Sequence, residues 1–196
     1  MLRSSRVTVS PLLVFAVCLG VYLGYGREVL SFLLCVLAHE AAHLAAMRML
    51  RMPLRRVRFS LFGAVIETDA ATPSEEALAA AAGPAANLFL SAVLRRVWPA
   101  ASRLSFGLCL YNLLPLWPLD GGRMLRAFLN SHFPRSAAAA EKAVAVLTGL
   151  VLLGGGLTLC VHGEGIFPPA FAAAVLFRAF SLARKENGVA FPVPEW

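Results

Sequence analysis

Residues 32–47, FLLCVLAHEAAHLAAM, set the tightest constraint on any fold this chain can adopt. Every position in the run is apolar or small except His39, Glu40 and His43. The run lies within an apolar stretch, 29–50, that is long enough to cross a bilayer. A carboxylate at the centre of such a helix costs about 2.5–3.5 kcal/mol even on the mildest insertion scale, so residues of this kind are usually functional. Two histidines four residues apart share one helix face and can present two nitrogens to one tetrahedral zinc ion. Glu40 follows the first histidine, so it points beside a metal rather than at it and is placed to take a proton from water. This is the logic of an H-E-x-x-H metalloprotease helix.

The rest of the chain has the same solvent preference. With 29–50 as the second, six apolar segments occur in all, the others at about 9–25, 77–94, 104–119, 143–161 and 166–183, and the fourth of the six, 104–119, is interrupted by Pro115 and Pro118. Charged residues make up 15% of the chain and hydrophobic ones 59%, where soluble domains carry about a quarter charged. The expected fold is therefore an all-α integral membrane protein of about six transmembrane helices, a single polytopic domain over 1–196. The first apolar segment is expected to be a retained span, because no small-residue cleavage site follows it. Gly154–Gly156 predict close helix contact or local distortion in the fifth.

Between the second and third spans, PLRRVRFSLFGAVIETDA alternates Val57, Phe59 and Leu61 with Arg56, Arg58 and Ser60, the period of a half-buried strand. A small membrane-associated β-hairpin turning at Phe62-Gly63 is expected here; a basic loop bound to lipid headgroups is a compatible reading. Ser74, followed by Glu75 and Glu76, predicts the cap of the third helix.

The net charge of +7 would suit nucleic acid, but its distribution points instead to the lipid bilayer as partner. With both termini cytoplasmic, fourteen of the 18 Lys and Arg fall inside, as positive-inside topology requires. Nucleic acid is not an expected partner. Cys18, Cys35, Cys109 and Cys160 lie far apart in apolar segments and are expected to be buried small hydrophobes.

A catalytic zinc needs a third protein ligand. His132, in NSHFPR, and His162, in VHGEG on the far side, are poor candidates. Asp120 stands at the end of the fourth span in YNLLPLWPLDGGRML, where Gly121-Gly122 permit a sharp turn. It would complete a His₂-carboxylate site with His39 and His43; alternatively it caps a helix starting near Arg123. Asn87 and Asn112 lie within spans, either as interhelical hydrogen-bonding residues or as donors to a substrate. Pro84, Pro115 and Pro118 free backbone groups where a cavity is lined.

These motifs together resemble the site-2 proteases of peptidase family M50, intramembrane zinc metalloproteases, over about residues 10–185. HEAAH (39–43) is similar to their H-E-x-x-H, GPAAN (83–87) to their G-P-x-x-N, and NLLPLWPLDGG (112–122) to their N-x-x-P-x-x-P-x-D-G segment. The order resembles the sporulation stage IV factor B-like group, which process membrane-tethered precursors. The resemblance implies Zn²⁺ as cofactor, His39, His43 and Asp120 as its ligands, Glu40 as catalytic base, and Asn87 and Asn112 as substrate contacts. It also implies a membrane-tethered substrate, such as a transcription-factor precursor or an anti-sigma factor, in a multi-pass bacterial cytoplasmic membrane protein. SLFGAVIE departs from the family's frequent Gly-Gly pair. The chain shows neither a PDZ-like insertion nor a nucleotide-sensing C-terminal domain, so control is expected from a separate membrane regulator or from substrate access. The competing expectation is a non-catalytic membrane metal-binding protein or transporter, which would spread polar ligands along a path through several helices.

Overall fold

Prolines and caps set the helix limits. In the computed structural model, which describes residues 6–9, 11–52, 54–60, 63–68, 72–164, 169–170 and 172–177, the third helix starts at Pro73. Its cap is Thr72 rather than Ser74: the Thr72 hydroxyl accepts from Glu75 N at 3.3 Å and Glu75 Oε2 accepts from Thr72 N at 2.8 Å. The reciprocal pair satisfies two backbone donors at once, and Pro73 occupies a first-turn position whose missing N–H costs nothing.

The chain divides into two compact units, Met1–Leu113 and Leu114–Trp196. In the first, strand β1 (Arg6–Val9) precedes helices α1 (Pro11–Tyr22) and α2 (Gly26–Met49). Strands β2 (Leu54–Ser60) and β3 (Gly63–Thr68) follow, then α3 (Pro73–Leu94) and α4 (Pro99–Asn112). β2 and β3 pair antiparallel, Val57 opposite Ile66 and Ser60 opposite Gly63, where the alternation expects a hairpin. The residues between them, 61–62, lie outside those described, and with them the expected turn at Phe62. β1 lies parallel to β2, giving the order β1-β2-β3. RVTV does alternate, but it is too short to stand out beside the apolar run that follows it.

α2 ends in a Schellman turn. Met52 N donates to Met47 O at 2.9 Å and Arg51 N to Arg48 O at 3.1 Å, with Arg51 at φ 56°, where glycine is usual. Met47 and Met52 cluster with Ala79 and Leu50, the apolar contact that accompanies such a turn.

Buried positions of α2 run Ser31, Cys35, His39, His43 and Met47, with Glu40 beside them. Those of α3 are Ala79, Ala80, Gly83, Pro84 and Asn87, and those of α4 Ala101, Ser102, Ser105 and Cys109. Nearly all are small, so the helices approach closely, as membrane helices do where small residues replace a hydrophobic drive. Small hydroxyls and sulfur find helix carbonyls: Ser102 Oγ donates to Ser91 O at 2.7 Å, and Cys35 Sγ lies 3.5 Å from Ala101 O. The opposite faces, with Leu30, Leu37, Leu78 and Phe89, are exposed.

The second unit holds α5 (Asp120–His132), α6 (Ala137–Leu159) and a π-helical turn, Cys160–Glu164. α6 passes unbroken through Gly154–Gly156, where Gly156 is buried; another close approach lies at Gly149, where a Cβ would lie 2.8 Å from Leu176 Cδ2. Gly154 and Gly155 have open space beside them.

Among the described residues three helices are long and apolar enough to cross a membrane: Gly26–Met49, Pro73–Leu94 and Ala137–His162. α1 and α4 are shorter than the segments expected at 9–25 and 104–119. α4 stops at Asn112 because Pro115 and Pro118 cannot continue it, so the fourth apolar segment is a helix followed by a loop. The expected segment 166–183 falls partly outside the described residues. Of the cysteines, Cys35 and Cys109 are buried while Cys18 is exposed.

Candidate metal centre

The four-residue rhythm of α2 sets His39 and His43 one turn apart, and α3 answers it in the opposite direction. Ala79, Gly83 and Asn87, also four apart, form one stripe. His43 Nδ1 lies 2.7 Å from Ala79 O, and His39 Nδ1 lies 3.1 Å from Asn87 Nδ2. Between them Gly83 faces both rings: a Cβ there would lie 2.6 Å from His39 Nε2 and Cε1 and would also strike His43 Nε2. The two Nε2 atoms are 3.0 Å apart, with the rings edge to face at 84°.

This arrangement fits a metal. Two nitrogens on a tetrahedral zinc at about 2.0–2.1 Å would stand about 3.3 Å apart, close to the observed spacing. The volume that a side chain on residue 83 would fill touches both nitrogens, and glycine keeps it clear. A carbonyl only accepts hydrogen bonds, so the donor to Ala79 O is His43 Nδ1–H, which leaves the Nε2 lone pair of the neutral ring toward that volume, the outer support that metal-bound histidines generally have. His39, Glu40 and His43 are all buried, at 4–6% exposure, which keeps competing water from the imidazoles. Glu40 stands about 100° around α2 from His39, beside the pair.

Asn87 is fully buried. It sits against His39 and over Ser105, whose hydroxyl lies 2.9 Å from Asn87 O and 3.4 Å from Asn87 Oδ1. The amide that the resemblance assigns to a substrate thus meets an imidazole. Asn112, half-buried at the end of α4, donates from Nδ2 to Leu108 O at 3.0 Å within its own helix.

In the second unit Asp120 is the first residue of α5 and is buried, at 6% exposure. It does not cap a helix near Arg123: Leu119 is the cap position, and Asp120 Oδ1 is 3.7 Å from Arg123 Nη1 one turn on. The two glycines after it make no sharp turn, since both lie in the helix. Gly122 serves close approach: a Cβ there would strike the backbone of Leu116 and lie 2.6 Å from Trp117 N, so the preceding loop can lie on the first turn of α5. Arg126 fastens the same region. Its guanidinium lies 3.9 Å from the Trp117 ring centroid, and its Nη2 and Nε donate to Glu141 of α6 at 2.8 and 3.1 Å. His132 stacks on Phe128 at the exposed end of α5, away from this chemistry.

Sequence reasoning missed Ala79 O, Ser105 and the Arg126 pairings. The spacing 79, 83, 87 could have exposed the first; a lone serine in an apolar helix gives no signal of its partner.

The profile of peptidase family M50 matches residues 28–98 and 92–155. A Mycobacterium tuberculosis protein named as zinc metalloprotease Rip3 is 34% identical over 188 residues, 84% of this chain and 47% of that protein. Stage IV sporulation protein FB of Bacillus subtilis is 28% identical over 142 residues, 66% of this chain and 49% of that protein. The chain spans about half the length of these curated relatives. Among solved structures, a site-2 protease from Methanocaldococcus jannaschii matches with a TM-score of 0.60 over 94% of this chain and 90% of that one, at 18% identity, a likeness of fold.

Proposed function

We propose that this chain, which belongs to peptidase family M50 and is an integral membrane protein, is an intramembrane zinc metalloprotease cutting a peptide bond in or near a membrane segment of its substrate. The observation that carries the reading is the buried imidazole pair facing the volume left clear at Gly83. His39 and His43 would hold the ion with Asp120, a buried carboxylate within the matched stretch 92–155. The ion, when bound, supplies a Lewis acid for the scissile carbonyl and lowers the pKa of a water to about 7.

The chain's own residues do the rest. Glu40 takes the proton from the attacking water and delivers it to the leaving amine. Ala79 O keeps the His43 ring aimed. Asn112, at the end of α4, contacts the substrate backbone. The outer edge of β3, which carries no strand among the described residues, holds the unwound substrate by strand addition.

The finer topology belongs to the same proposal: one domain of six spans with both termini in the cytoplasm of a bacterium. His39 lies nine residues before Arg48, about 13–14 Å along the helix, which puts the centre in the cytoplasmic half of the bilayer. The substrate class is a membrane-tethered protein such as a transcription-factor precursor or anti-sigma factor, with control by a separate membrane regulator.

Comparing native membranes that carry wild-type protein or Glu40→Gln tests this. Protease action predicts a precursor that accumulates in the variant and new termini, mapped by mass spectrometry, at the cytoplasmic end of its membrane segment in the wild type. A metal-binding protein without activity predicts identical membranes, and cuts at the outer face would overturn the topology.

A further inference from the structure

We infer that α5 is seated in the bilayer surface: its exposed aromatic end, Phe128, His132 and Phe133, lies among the headgroups of the leaflet where α6 begins, and Arg135 and Lys142 beside it select anionic phospholipid. The inference rests on the chain being an integral membrane protein and stands apart from the protease reading, because no part of it involves a metal.

α5 carries two stripes on opposite sides. Arg123, Arg126 and Asn130 follow one another at steps of three and four residues, as do Leu125, Phe128 and His132, so each set forms one line. Corresponding members are two residues apart, about 200° around the helix. A helix in water turns such a charged line outward and its apolar line to the core. At Arg126 and Phe128 α5 does the reverse. The Arg126 guanidinium is turned onto protein, 3.9 Å from the Trp117 ring centroid, with Nη2 2.8 Å from Glu141 Oε1 on α6. Phe128 is 52% exposed and Phe133 54%. His132 is exposed as well, its ring stacked on Phe128 at 4.5 Å between centroids, and Phe133 adds a third ring 6.4 Å from each of them. Three rings thus make one exposed patch that is apolar in body and polar at one edge.

Helix lengths and charge say what covers the patch. α5 has 13 residues, about 20 Å, and is too short to cross a bilayer. It ends at His132, and α6, which is long and apolar enough to cross, begins at Ala137. Only residues 133–136 separate the two, so the end of α5 stands at the membrane face where α6 enters. Aromatic residues with an apolar body and a polar tip concentrate at that level. Arg135 and Lys142 are exposed there, while Glu141, the acid beside Lys142, already holds Arg126 at 2.8 Å. The rings are therefore bordered by positive charge, the complement of a phosphodiester. Protein holds the first turns of α5, through the loop over Gly122 and through Arg126; lipid holds the last. Asp120 opens this helix, so the bilayer is one of the supports of the segment that carries it.

The test uses the full chain in nanodiscs of an equal mixture of phosphatidylcholine and phosphatidylglycerol, with photoreactive benzoylphenylalanine in place of Phe128, Asn130 or Phe133. All three positions are exposed, so the larger ring leaves the packing intact. Intact-protein mass spectrometry after illumination reads what each position touches. Expected are phospholipid adducts at 128 and 133, about tenfold in excess of those at 130 on the other side of the helix. Phosphatidylglycerol should exceed phosphatidylcholine among them about five- to twentyfold, the effect of two surface cations. Replacing both cations, Arg135→Gln with Lys142→Gln, should bring the two lipids to parity. Adducts to a second copy of the chain, or lipid adducts that are absent from 128 and 133 or equal at all three positions, would overturn the seating. An unchanged lipid ratio in the double variant would overturn the anionic headgroup assignment. Neither result bears on proteolysis, which the Glu40→Gln comparison tests.

Discussion

Around His39 and His43 three supporting groups come from a regular helix at a regular step: Ala79 O, the bare Gly83 and the Asn87 amide, four residues apart on α3. Around Asp120 nothing is periodic. A loop closed by Leu116 N to Leu114 O and Leu119 N to Leu116 O, both 2.8 Å, lies on the first turn of α5 over Gly122, and Arg126 pins it from beyond. One region aims its side chains by helical phase, the other by backbone proximity. The first should therefore fail by losing metal and the second by losing structure.

The largest expected effects test whether both regions share the chemistry. His43→Ala and Asp120→Ala should each abolish zinc binding, measured by metal analysis, and lower proteolysis about a thousandfold or more, since a catalytic site needs three protein ligands. Glu40→Gln should keep its zinc and lose about 10²–10⁴ in rate, the share of a general base. Full zinc in Asp120→Ala would reduce the α5 region to scaffold.

The two glycines sharpen the contrast. Gly83→Ala should cost about a hundredfold in zinc affinity, because its methyl enters the space between the imidazoles. Gly122→Ala should instead lower unfolding stability by about 1–3 kcal/mol, as overpacking does. Equal effects on metal and stability in both variants would erase the distinction.

Arg126→Ala, which removes the Trp117 and Glu141 contacts from a partly exposed site, should destabilise by about 1 kcal/mol. The smallest effect has the opposite sign. Arg51→Gly relieves a left-handed backbone at the end of α2 and should raise stability by about 0.5–1 kcal/mol; a loss there would show that the Arg51 side chain contributes more than the strain costs.

The same contrast explains what could be read in advance. HEAAH declared a helix face and its chemistry because both follow from a four-residue step. GPAAN gave Asn87 as a polar residue in a membrane, yet not its partner, because partner choice depends on how two helices are registered and sequence carries no such ruler. Gly121-Gly122 read as a turn in the sequence and lie in a helix in the structure: glycine signals either backbone freedom or close approach, and the neighbouring Leu116 backbone decides for Gly122. The third-helix cap was displaced from Ser74 to Thr72 because both are good caps, and the glutamate three residues on fits only the latter. The lengths of α1 and α4 escaped because hydropathy records solvent preference and not where hydrogen bonding stops.

The buried line on α2, from Ser31 through Cys35, His39 and His43 to Met47, has a mechanical consequence. Each four-residue step overshoots a full circle by about 40°, so the line winds through about 160° along the helix. α2 is thus seated like a screw thread, with Cys35 against Ala101 of α4 at one end and Met47 against Ala79 of α3 at the other. An axle could swivel and swing its imidazoles away; a thread can turn only by advancing. The histidines keep their aim because rotating them would mean driving the whole helix along its axis through the bilayer.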